Sequence, residues 1–100
     1  MHAIDKKINE LGLILPNVPT PIANYVPYKI YQSTVYISGQ GPIKDNKVLY
    51  KGKIGKDLTL EDGIEAAKLC CLNILAIIKQ ASNNWNDFYE IIKIGGFVNC

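Results

Sequence analysis

The stretch TLEDGIEAAKLCCLNILAIIKQA, Thr59 to Ala81, decides the fold of this 100-residue chain. Its first four residues form a helix start. The Thr59 hydroxyl can cap a free amide, and Asp62 can reach back, a capping box with Asp in place of Glu. Glu61 and Asp62 also bring negative charge to the positive end of the helix. Ile64, Ala67, Cys71, Ile74 and Ile78 then recur at spacings of three and four and share one face. Leu69, Leu72, Leu75 and Ala76 widen the apolar surface beyond one stripe. The spacing predicts a helix ending near Ala81 and covered on more than one side. The cover comes either from a sheet plus another element or from another subunit.

Upstream, YISGQGPIKDNKVLYKG runs from Tyr36 to Gly52. An alternating strand stops at Gly39, passes a Gly-Pro turn and restarts at Val48. Tyr28–Ile30 and Thr34–Ser38 are predicted strands joined by a tight turn near Gln32-Ser33. Val48–Ile54 is predicted as a third, with Lys44–Lys47 as an exposed turn and Gly52 and Gly55 as candidate bulge positions. Residues 2–11 have Ile4, Ile8 and Leu11 on one helical face, followed by Gly12 as a C-terminal cap. Three prolines in the six residues 16–21 then favour an extended arm lying along a surface. Downstream, Ser82–Asp87 is a loop or single turn. Tyr89–Asn99 is predicted as a fourth strand, with Gly95-Gly96 inside it.

The order helix, β, β, β, long helix, β predicts an α+β domain. A mostly antiparallel sheet carries the long helix on one face, and 1–100 forms a single domain without repeats. The fourth strand has nothing after it to cover it, and an uncovered apolar strand is an aggregation hazard. Either another chain covers it or the natural protein is longer.

Composition narrows the partners. All eleven basic residues are Lys, none is Arg, and the net charge is +2. Bidentate clamping of a carboxylate, phosphate or guanine edge is mostly Arg work. Trp85 and the six tyrosines are not interleaved with cations as in a groove for single-stranded nucleic acid. Cys70 and Cys71 diverge by about 100° on a helix and suit no shared metal site. No C-x-x-C occurs, and His2 is read as solvated rather than as a ligand. No metal or cofactor is expected. Three Cys without paired spacing suit a reducing compartment. No membrane span or secretory leader is visible, so a cytoplasmic protein is expected, with an organelle as the alternative.

The chemistry-bearing residues are few. Phosphate-cradle motifs are absent, and Glu61, Asp62 and Glu65 are explained as helix-start charges. On composition alone, Tyr25 is a packing residue and Ser38 is satisfied by a neighbouring backbone group. Yet a strand end with Ser38, a close-approach Gly39 and a Tyr can line a small polar pocket. Exposed glycine amides there can bind an anionic oxygen.

In order along nearly the whole chain, several motifs resemble the Rid family, also called the YjgF or endoribonuclease L-PSP family. They are Leu11–Pro16, Pro21–Pro27, Tyr36-Ile-Ser-Gly-Gln-Gly-Pro42, Tyr50–Gly55, Leu60–Leu69 and Gly96–Asn99. The resemblance implies a chorismate-mutase-like α+β fold. It also implies homotrimers with ligand clefts between subunits, and hydrolysis of enamines and imines such as 2-aminoacrylate to 2-keto acids and ammonia. Tyr25 resembles the family's pocket tyrosine, and Ser38 and Gly39 its serine and glycine at the strand end. No catalytic residue is assigned. The family's carboxylate-binding arginine and its water-associated acid lie beyond the fourth strand, in a segment with a further helix and strand that this sequence does not contain. The chain therefore reads as a partial domain, weak or inactive by itself as an enzyme. The alternatives are a non-catalytic, regulatory trimer holding a small carboxylate, and RNA cleavage with translation inhibition. The weak net charge and absence of Arg argue against tight nucleic-acid binding.

Overall fold

The computed structural model describes residues 2–18 and 26–100. Its frame is the long helix, α2, Leu60–Ala81, preceded by a short helix α1, Ala3–Glu10, and two antiparallel hairpins. The α+β class stands. The capping box at the start of α2 is present in full. Thr59 Oγ1 accepts from the Asp62 amide at 3.1 Å, and Asp62 Oδ2 accepts from the Thr59 amide at 3.0 Å.

The first hairpin joins β1, Tyr28–Tyr31, to β2, Thr34–Ile37, in the register Tyr28–Ile37 to Tyr31–Thr34. Gln32 supplies the positive φ, 55°, that its two-residue turn needs. The second hairpin was expected as an exposed turn. It joins β3, Ile43–Lys44, to β4, Lys47–Val48. Asp45 and Asn46 sit at φ 52° and 62° between them, and both residue types tolerate the left-handed region. The two hairpins form separate two-stranded sheets rather than one.

The expected third strand, Val48–Ile54, stops at Val48. Tyr50 and Gly52 turn to φ 57° and 126°, which breaks extended backbone. The chain regains contact at Ile54, which bridges to Leu58 and packs onto α2. A Cβ at Gly63 would lie 2.9 Å from Ile54 Cδ1, so glycine there permits the close approach. The expected fourth strand, Tyr89–Asn99, is likewise not formed. Among the described residues no strand pairs with it, and Ile91, Ile92, Ile94, Phe97 and Val98 stand exposed.

α2 packs against β2 and β3. Its deepest side chains are Asn73, Ala76 and Ile77. At 100° per residue these lie roughly opposite the predicted stripe. Ile64, Ala67 and Cys71 are exposed, Ile64 by 48%. A helix apolar on nearly every side offers several faces, and periodicity alone did not choose among them. The core is completed by Ile8 of α1 and by Trp85, which is 1% exposed in the turn after α2. No helix among the described residues is long and apolar enough to cross a membrane.

Candidate functional site

β2 ends at Ile37, and the ladder gives one further bond as the Ser38 amide donates to Pro27 O at 3.0 Å. The Ser38 hydroxyl donates to the Val26 carbonyl. Its proton is therefore directed into backbone, as composition suggested, and its oxygen retains acceptor capacity. Gln40 folds back so that Nε2 donates to Ser38 O at 3.1 Å. Between them Gly39 is exposed, and a Cβ there would meet nothing within 4 Å. The expected close approach at Gly39 is thus not made by the described part of this chain. Tyr25 lies outside the described residues.

The loop beyond Gly39 is held from below. Ile43 N donates to Gly41 O at 2.9 Å, and Leu49 N donates to Pro42 O at 2.8 Å. Asn73 of α2, fully buried, donates through Nδ2 to Gly41 O at 3.1 Å and to Ile43 O at 2.9 Å. Its Oδ1 has no partner among the described residues. Sequence reading gave Asn73 no role, although it sits between Leu72 and Ile74 in an apolar run. A lone amide inside such a run was the available signal.

A second polar cluster lies at the other end of α2. Asp5 Oδ1 accepts from Lys79 Nζ and from Trp85 Nε1, both at 3.0 Å. The Trp85 hydrogen bond first, then the Lys79 ammonium, holds the Asp5 carboxyl below its ordinary value. Beside them Ile8, Asn9, Ile14 and Leu15 line a cleft of about 300 Å³. Asp5 ties α1 to the end of α2. Its partners lie 74 and 80 residues away, beyond the reach of local sequence reading. His2, read from sequence as solvated, is half-buried, and its Nδ1 caps α1 by accepting from the Ile4 amide at 3.0 Å.

The half-buried Cys70 thiol is not poised as a nucleophile. Burial pushes the Cys70 thiol up, which disfavours the reactive thiolate. Among the described residues no group of three or more His, Cys, Asp or Glu is gathered as a metal site would need.

The fold and the strand-end loop define a class. The family model described as "YjgF/chorismate mutase-like, putative endoribonuclease" matches residues 5–100, and the chain belongs to this family. It is 30% identical over 92 residues to Protein TCP17 of Trypanosoma cruzi, covering 92% of this chain and 58% of that protein. Among solved structures it is similar to one described as a putative endoribonuclease from Shewanella oneidensis MR-1. That match has 38% identity and a TM-score of 0.76, over 82% of this chain and 54% of the other. It is also similar to the protein Atu1372, of unknown function, from Agrobacterium tumefaciens. Here the identity is 38% and the TM-score 0.71, over 84% of this chain and 50% of the other. The chain thus spans about half the length of these relatives.

Proposed function

We propose that this chain supplies one wall of a cleft between subunits of a homotrimer, where a small carboxylate-bearing enamine or imine is hydrolysed. Tyr25, Ser38 and Gly39 are the substrate-binding residues in this reading. The observation that carries it is the end of β2, where an open glycine follows a serine whose hydroxyl is already oriented by backbone. An exposed glycine amide can receive an anionic oxygen, and a serine oxygen can accept a hydrogen bond from an amine or water. The chemistry needs no cofactor. The enamine tautomerises to the imine, water adds to the imine carbon, and the C–N bond breaks to release ammonia and leave the 2-keto acid.

The chain has no Arg. Losing a charge-assisted carboxylate clamp costs about 2–5 kcal/mol, so the 100-residue chain alone is expected to turn over weakly. That same absence favours a second reading, a regulatory trimer that holds a small carboxylate without converting it. RNA cleavage has the family's description behind it, and the net charge of +2 with no Arg against it. The cytoplasm, where pyridoxal-phosphate enzymes release such intermediates, is the proposed setting.

The test generates 2-aminoacrylate from serine with a pyridoxal-phosphate dehydratase and follows pyruvate and ammonia with and without this chain. Acceleration that falls in Ser38→Ala supports the hydrolase. Saturable pyruvate binding without acceleration supports the regulatory reading. Neither acceleration nor binding, with salt-sensitive RNA cleavage surviving repurification, overturns both.

A further inference from the structure

We propose that Asn73 is the positioning residue of the Ser38–Ile43 loop, setting from inside α2 where Ser38 and Gly39 stand. The proposal rests on the reading that these two residues line the cleft. Asn is a mediocre helix former, and burying its amide is costly unless the amide is bonded. Asn73 is nevertheless wholly buried, between Leu72 and Ile74. What it gains is specific. Both Nδ2 hydrogens go to the loop, to Gly41 O and Ile43 O, while Oδ1 has no partner among the described residues. The side chain is used as a two-pronged donor.

The prongs bracket Pro42, which has no N–H of its own for a ladder. One falls on the Gly41 carbonyl, which also accepts from the Ile43 amide, and the other on the carbonyl of Ile43 at the start of β3. The loop is therefore fixed at both ends. On the Ser38 side Pro27 O, just before β1, holds it, and on the Ile43 side the 22-residue helix holds it through Asn73. Gly39 is suspended between these two supports, with no atom of the other described residues within 4 Å of its Cβ position. Asn73 bonds the loop through its backbone carbonyls. It acts by fixing the height of the loop over the helix.

The variants Asn73→Asp and Asn73→Leu test this. Asp keeps size and acceptors but at neutral pH removes the donors, and Leu removes them without charge. The reporters are the amides of Ile43 and Leu49, both hydrogen-bonded within the loop. Losing the two Asn73 donors should speed hydrogen exchange at these amides by roughly ten- to a hundredfold, while β1–β2 amides keep their protection. Wild-type exchange at Ile43 and Leu49 in both variants overturns the proposal.

If neither variant folds, the wild-type chain decides by itself. Exchange of the Asn73 Nδ2 protons is then compared with that of the exposed Asn83 and Asn84. Equal rates overturn the proposal, and strong protection at Asn73 supports it.

Positioning is separated from mere stability by pyruvate titration followed at the Gly39 amide, with Ile77→Ala as a control that damages the same helix but leaves the donors. Roughly tenfold weaker binding in the Asn73 variants, with binding kept in Ile77→Ala, supports positioning. Equal losses overturn it. A wild-type chain that binds no pyruvate overturns the cleft reading, while the exchange measurements still read the loop.

Discussion

Residues 38–49 and residues 91–100 are alike in content. Each mixes apolar side chains with lysine, asparagine and a pair of glycines. Their fates differ. The first segment is tied by Leu49 to Pro42 O, by Gln40 to Ser38 O and by Asn73 to two carbonyls. The second is hydrogen-bonded to the rest of the described chain through Asn99, whose carbonyl accepts from the Ile54 amide at 2.9 Å and whose Nδ2 donates to Gly52 O at 3.3 Å. Apolar alternation is thus not enough to make a strand. Backbone donors and acceptors need partners, and order follows where a neighbouring edge or a buried amide provides them. Where none does, apolar side chains stay exposed.

The largest blow to this contrast would come at Trp85, the last buried side chain before the chain leaves the core. Its ring packs edge-on against Phe88 at 6.1 Å, and its Nε1 donates to Asp5. Trp85→Ala removes a large buried ring and should destabilise by about 3–5 kcal/mol, read by urea denaturation followed by circular dichroism. The tied segment should then lose protection together with α1. A loss under about 1 kcal/mol would mean that the loop and helix stand without this corner, and that the two segments differ for another reason.

A smaller effect sharpens the contrast through pH. The native state holds Asp5 charged between Trp85 and Lys79, and its carboxyl lies below the ordinary value. The stabilisation is therefore complete above the ordinary Asp pKa of about 4 and drains away as pH falls through the lowered native value. Melting temperatures of wild type and Asp5→Asn should stay a constant distance apart from neutral pH down to about 5, then converge on further acidification. A gap that stays constant to pH 2 would show that the Asp5 charge contributes nothing to docking α1.

These elements were not equally legible in the sequence. The capping box at Thr59 and Asp62, the length of α2 and the β1–β2 pair were all readable, because each is written within a few residues. The β3–β4 hairpin was missed although Asp45-Asn46 carries the chemistry of a positive-φ turn. Lysines on both sides made it look like plain exposed loop. Tyr89–Asn99 was overread, because alternation reports a preference while pairing depends on a neighbour elsewhere in the chain. At the site, Ser38 and Gly39 could be picked out locally. The support beneath them could not, since Asn73 acts across 30 and 32 residues. The buried face of α2 was misplaced for a similar reason, as the tertiary partner chose Asn73 and Ile77 over the more regular Ile64–Cys71 stripe.

The smallest expected effect tests the weak side of the contrast. Asn99 makes two contacts of different kinds. Its side-chain bond to Gly52 O is long and exposed, whereas its backbone carbonyl receives the Ile54 amide. Ile54 is seated independently on α2, where Gly63 leaves it room. Asn99→Ala removes only the side-chain bond and should change stability by less than about 0.5 kcal/mol, as surface substitutions away from special features do. The Ile54 amide should exchange as in wild type, because its acceptor is backbone. Should Ile54 lose protection in Asn99→Ala, the side chain of Asn99 would be organising the terminal segment much as Asn73 organises the loop. The two regions would then differ in the exposure of their clamps rather than in having one.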